Sequence, residues 1–175
     1  NGNYSDYFLR PFFSALDDLG VEYRVVDAFE SYQEGKYTDY TKTAIAHRAE
    51  ISDIIQEVSQ RPLDEDWFPY NPIDDEGNMH GLKVTACEWP TVEWVAEDGR
   101  TGSTNIERGG GKLPWRLDWP ARWNWIGVTF EGYGKDHSAA GGSWDTGQRL
   151  APLFGSAPPM GMMYEWIYLK GKGAM

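Results

Sequence analysis

The sequence has 175 residues, 41% of them hydrophobic and 25% charged, with 27 acidic against 16 basic side chains and a net charge of −11. This is globular rather than disordered composition, long enough for one domain or a core with a small insertion. It excludes a basic RNA-gripping stripe, so the chain alone is expected to bind nucleic acid weakly or not at all, and neither a long apolar span nor a charged-then-apolar leader is present.

In chain order, Tyr4, Tyr7, Phe8, Phe12, Ala15, Leu16 and Leu19 recur at helical spacing, and Gly20 supplies a stop. Val21 to Val26 reads as a short strand because Val recurs within it. One helix is expected from Tyr37 to Val58, closed by Arg61-Pro62, followed by a loop from Asp64 to Pro72. Lys83 to Glu88, Thr91 to Ala96 and Thr101 to Ile106 then read as three short antiparallel strands, with turns at Trp89-Pro90 and Asp98-Gly99. After a loop from Arg108 to Lys112, a helix is expected from Asp118 to Ile126 and a strand at Val128 to Phe130. A helix near Trp144 to Phe154 and a strand at Met163 to Leu169 complete the pattern. The expected organisation is an α/β part over residues 1–72, a small β insertion over 73–107 and a second α/β part over 108–175.

Three runs carry chemistry. In Gly111-Lys112-Leu113-Pro114-Trp115-Arg116-Leu117-Asp118-Trp119-Pro120-Ala121-Arg122-Trp123, Asp118 is placed to cap a helix or complement its dipole. Trp115 there is a core lid or a ligand platform, and core packing is the commoner fate of any single Trp. Gly132-Tyr133-Gly134-Lys135-Asp136-His137, continued by Ala139-Ala140-Gly141-Gly142, falls between a strand and a helix. Ligands bind at such places in open α/β sheets, but a tight turn using Asp136 and His137 for backbone bonds fits equally well. The third run, Tyr164-Glu165-Trp166-Ile167-Tyr168-Leu169-Lys170-Gly171-Lys172, leads a strand into a cationic loop suited to triphosphate charge, or into a lysine-bearing surface hairpin.

Together these runs resemble the class I lysyl-tRNA synthetases, whose Gly-Lys-Leu-Pro-Trp-Arg, Gly-Lys-Asp-His and Tyr-Glu-Trp-Ile blocks occur in the same order. Gly142-Ser143-Trp144-Asp145-Thr146-Gly147, Tyr7-Phe8-Leu9 and Asn71-Pro72-Ile73 extend the likeness over nearly the whole chain. The resemblance implies a partial Rossmann-type (HUP-like) catalytic domain with a small antiparallel β insertion. It also implies a cytoplasmic ligase that makes lysyl-adenylate from lysine and ATP with Mg²⁺ and charges tRNA(Lys). By matching positions, Trp115, His137 and Tyr164 would line the lysine pocket. Gly134, Asp136, His137 and Gly141 would approach the nucleotide, and Lys170, Lys172 and Met175 would begin the signature loop.

The chain also departs from the family. The HIGH signature would lie before Asn1, and the KMSKS-type loop is not completed by Met175, so both ends are expected to be internal to a longer protein and the 175-residue chain is expected to be inactive by itself. The family's zinc-ribbon cysteine pairs align with Asp74 and Gly77, and with Val95 and Asp98. Cys87 is the single cysteine, so no zinc and no disulfide are expected. Val84, Trp89, Val92, Trp94 and Val95 should hold the insertion instead. The alternative readings are a non-catalytic synthetase-like module binding an amino acid or nucleotide and, from the aromatic content, a carbohydrate-binding module. A homodimer through exposed apolar surface is a further expectation, whereas His47, His80 and Cys87 carry no functional signal.

Overall fold

A computed structural model describes residues 4–166, 168, 170 and 171. Helix α1 spans Tyr4–Asp18. It ends where Gly20 turns left-handed (φ 67°), with Gly20 N–H donating to Asp17 and Val21 N–H to Leu16 at 3.0 Å each. This paired arrangement satisfies carbonyls that a helix end leaves free. No α1 residue is buried. The helix is joined locally to the segment that follows, where Phe13 stacks on Tyr23 at 5.5 Å.

Residues 21–26 are not a strand. Valines favour a pleated surface only when a neighbouring ladder exists, and β propensity cannot supply one. A short helix that the sequence reading missed, α2 (Ala28–Gln33), follows with Asp27 as its cap, accepting from Glu30 N–H at 2.9 Å. The single helix expected to Val58 is two, α3 (Thr38–Ala46) and α4 (Arg48–Ser59), separated at His47 (φ −102°, ψ 22°).

Strand β1 (Asn71–Pro72) pairs antiparallel with β5 (Gly111–Lys112), forming a neck for the insertion between them. The insertion is the expected antiparallel sheet in the order β2 (Leu82–Glu88), β3 (Thr91–Ala96) and β4 (Thr101–Asn105). Along β3, Val92 and Trp94 alternate inward. Val92 packs with Tyr70 and Ile106, with Val84, Cys87 and Trp89 around them.

Helix α5 (Trp115–Ile126) starts one turn before Asp118. Asp118 therefore does not cap it; its carboxylate accepts from the Tyr32 hydroxyl at 2.8 Å and pairs with Arg122. Leu117, Asp118, Trp119, Pro120, Ala121 and Trp123 are all buried, as expected of a helix enclosed on most sides. Strand β6 is Phe130–Gly134, later than expected, and α6 (Ser143–Leu150) ends in a 3₁₀ turn, Ala151–Phe154. Strand β7 is Met160–Tyr164 and lies parallel to β6, pairing Phe130 with Met160 and Gly134 with Tyr164. The main core joins α2 to α6 through Tyr32, Tyr37, Ile51, Leu117 and Leu150. A second cluster holds Trp119, Trp123, Trp144 and Ala151 under the β6–α6–β7 unit.

Candidate functional site

Because β6 and β7 are parallel and Gly134 registers with Tyr164, the segments after them leave the same, carboxyl-terminal edge. Gly134, Lys135, Asp136, His137, Tyr164, Glu165 and Trp166 line one cavity of about 310 Å³. A Cβ on Gly134 would lie 2.6 Å from an oxygen of the exposed Asp136 side chain, so that side chain lies close over the strand end at this position. Lys135 Nζ donates to Glu165 at 2.6 Å and ties the two segments together. His137 Nδ1 lies 2.8 Å from the Ser143 hydroxyl at the start of α6, and its Nε2 lies 3.7 Å from Asp136. The ring is thus held from one side and faces a carboxylate on the other. Tyr164 is 51% exposed, as befits a wall open to a ligand.

Trp115, Trp119 and Trp123 occupy successive turns of α5. Trp115 stacks on Trp119 at 5.1 Å, and both rings approach His137, at 5.8 and 5.2 Å respectively. Trp119 also meets Trp144, which stacks on Tyr133 at 4.1 Å. Trp115 is 45% exposed but lines a different, adjoining cavity of about 380 Å³, bounded by α2, the insertion neck and α5. His137 and Tyr164 therefore share a cavity, while Trp115 reaches it through its contact with His137. Trp119 was not singled out as a site residue, although its position one helical turn after Trp115 was readable from the spacing.

Gly141 does not line either cavity. With φ 78° it packs on α4, and a Cβ there would fall 2.9 Å from the Ser59 Cα and the Val58 carbonyl oxygen. Its carbonyl accepts from Arg116 Nη2 at 3.0 Å, while Arg116 Nη1 donates to Gly142 O at 3.1 Å and to Thr146 Oγ1 at 2.5 Å. Burial and nearby Arg61 push the Arg116 pKa below its ordinary value. Arg116, unassigned from sequence, thus positions the loop that carries His137 and Ser143. Lys170 is exposed, whereas Lys172 and Met175 lie outside the described residues.

The insertion's two turns do not fit a zinc ion. Asp74, its side chain 2% exposed, accepts from Glu76 and Asn78 N–H at 3.0 and 2.8 Å and lies 3.6 Å from Arg100. Arg100 also donates to Asp98 at 2.8 Å. A guanidinium and backbone N–H groups occupy these carboxylates, and Gly77 and Val95 offer no ligand atoms on their side chains. Among the described residues no group of three or more His, Cys, Asp or Glu side chains gathers as a metal site. His47 pairs with Glu50 on the surface, and burial pushes the Cys87 thiol up, away from reactivity. No helix among the described residues is long and apolar enough to cross a membrane.

Comparison with known proteins places this geometry in context. The family model of tRNA synthetases class I (K) matches residues 1–175. The chain is 47% identical to lysine–tRNA ligase 1 of Methanosarcina acetivorans over 177 residues, covering 99% of this chain and 33% of that protein. It is 44% identical to the lysine–tRNA ligase of Archaeoglobus fulgidus and 40% identical to that of Thermoplasma volcanium, in each case over 99% of this chain and 35% of the relative. The chain therefore spans about a third of the length of these relatives.

Proposed function

From a chain that belongs to the class I (K) tRNA synthetases, we propose that the full-length protein activates lysine with ATP and transfers it to tRNA(Lys), acting in the cytoplasm. The parallel β6–α6–β7 unit, with its loops at the carboxyl edge, supports a Rossmann-type (HUP-like) catalytic domain, of which residues 108–175 form the second half and residues 73–107 the insertion. The observation that carries the reading is the shared cavity of His137 and Tyr164, with the Trp115 ring 5.8 Å from His137.

Its chemistry suits lysine. The aromatic groups match the aliphatic stem, and the charged lining sets the Asp136 and Glu165 carboxylates against the single ammonium of Lys135. That balance favours a cationic tip. In the activation step a lysine carboxylate oxygen attacks the α-phosphorus of ATP and pyrophosphate leaves. The protein's part is positioning and charge stabilisation, without a covalent nucleophile. Gly134 lets the backbone approach the reacting groups, His137 is oriented by Ser143, and Arg116 holds the intervening loop. ATP would bring Mg²⁺ on its phosphates, supplying charge neutralisation; no protein ligand for it is assigned.

The test is lysine-dependent exchange of pyrophosphate into ATP by the full-length protein. Tyr164→Ala should raise the KM for lysine by about tenfold or more through loss of a pocket wall, with a smaller change in the KM for ATP. Lysine binding without exchange would instead support the non-catalytic module, and exchange with another amino acid would refute the lysine assignment.

A further inference from the structure

We infer that Arg122 is a positioning residue for lysine activation, holding the Trp115 ring beside the amino-acid cavity, an inference that rests on the function proposed above. Trp115 is the first residue of α5, and its cap, Pro114, makes no side-chain hydrogen bond. The end turns of a helix fray, and this one lacks a side-chain cap to restrain it. The ring is also 45% exposed, so burial alone does not fix it. Yet it stands 5.8 Å from His137, and a ring that swung away would loosen the wall of the cavity that His137 lines. Two contacts hold it in place. Trp119 stacks on it at 5.1 Å, and the Arg122 guanidinium carbon lies 5.8 Å from its centroid. Trp115, Asp118, Trp119 and Arg122 recur at three- and four-residue spacing and so share one face of α5.

The guanidinium can restrain the ring because it is itself fixed. Asp118, one turn earlier, pairs with it, and its Nε donates to the Tyr37 hydroxyl at 3.2 Å. Asp118 is held in turn by the Tyr32 hydroxyl, which donates to it at 2.8 Å and accepts from Leu113 N–H at 3.0 Å. Tyr32 and Tyr37 stack at 4.0 Å, so the chain of contacts runs from Trp115 to α2 and to the residue that precedes α3. A planar guanidinium whose edge is engaged in this way still has a face for an aromatic ring, which an ammonium does not reproduce. The carboxylate has a second effect. It offsets the charge of Arg122, which therefore steadies Trp115 without adding net positive charge beside a cavity proposed for a cationic substrate.

The experiment is pyrophosphate exchange by the full-length protein, with lysine and ATP varied in turn. Arg122→Gln combined with Asp118→Asn removes both charges and leaves no buried carboxylate without a partner. This double variant should raise the KM for lysine by about three- to tenfold, while kcat and the KM for ATP move by no more than about twofold. Tyr37→Phe removes only the hydroxyl that orients the guanidinium and should raise the KM for lysine by about two- to threefold. It keeps the ring and its stack on Tyr32, so it decides the matter if the double variant does not fold. In a Trp115→Ala background, where no ring remains to be held, the same changes should add less than about twofold. A KM for lysine unmoved by these substitutions would overturn the inference. So would their full effect in the Trp115→Ala background, or a joint change of kcat and both KM values, which would mark Arg122 as a support of the whole domain. Failure of the unaltered protein to exchange with lysine would overturn the proposed function and this inference with it. Lysine-dependent exchange that ignores the substitutions would overturn only the inference.

Discussion

At the scale of single residues, Gly161 controls how the β6–β7 unit closes over α6. A Cβ at this position would lie 2.2 Å from Trp144 Cζ2 and 2.8 Å from Tyr133 Cε1. Trp144 cannot withdraw easily, because it is buried against Trp119 and Trp123 and stacked on Tyr133. Gly161→Ala should therefore lower stability by about 1–3 kcal/mol, the usual cost of overpacking, read as a lower urea midpoint at unchanged slope. Gly132→Ala in the paired strand, where the nearest atom would be 4.0 Å away, should leave the midpoint nearly unchanged. Equal losses in the two variants would show that the Trp144 contact does not govern Gly161, since the backbone-entropy effect of Gly→Ala is stabilising. The sequence marks Gly161 only as a small residue among methionines. What makes glycine necessary there is a tryptophan seventeen positions earlier, brought in by the fold.

At the scale of elements, legibility followed whether the signal lay within the element. Strands β2 to β4 carry their own alternation and are joined by short turns, so their pairing was readable in advance. The cap of α2 was readable too, since Asp27 and Glu30 stand in the spacing of a capping box, but the helix is only six residues long and its periodicity is short. Residues 21–26 have the composition of a strand and lack its partner, which propensity cannot reveal. The insertion turns at Asp74 and Asp98 yield a testable consequence. The Asp74 carboxyl is held below its ordinary range by the Asn78 and Glu76 N–H groups, the Asn78 side chain and nearby Arg100, against the opposing effect of burial. Asp98 is likewise held low, first by the Arg100 side chain. The folded turns thus bind these protons less readily than the unfolded chain does. Their contribution is full above the unfolded value of about 4 and is lost as pH falls through the lower folded values. Protection of the amides at residues 74–78 and 96–100, taken relative to their intrinsic exchange rate at each pH, should fall as pH drops below about 4 and these depressed groups take up protons. Asp74→Asn, which keeps an acceptor oxygen but removes the charge, should reduce this acid response, and the double change with Asp98→Asn should nearly abolish it. An unaltered acid response in the double variant would show that these carboxylates do not govern the turns.

At the scale of the whole molecule, the packing is uneven. The helical core around α5 is dense, whereas Tyr4, Tyr7, Phe8 and Phe12 on α1 are all exposed, as are Phe130 on β6 and Met160, Met162 and Met163 on β7. Parallel strands normally have both faces covered, and a two-stranded parallel sheet is marginal when one face meets water. The chain spans about a third of its relatives' length, so these faces are where further protein would pack in the proposed full-length enzyme. In the isolated chain the same apolar area favours association with a second copy, because contiguous exposed patches of this kind drive contact. We therefore expect sedimentation velocity of the 175-residue polypeptide to show a concentration-dependent shift from 19.9 kDa toward a dimer. Phe8→Asp with Phe12→Asp should move that equilibrium back toward monomer without loss of helical circular dichroism, since neither side chain belongs to the buried core. A monomer at every concentration would mean that α1 folds back on its own chain more fully than its exposed rings indicate. Self-association that persists in the double variant would place the contact on the β6–β7 face instead.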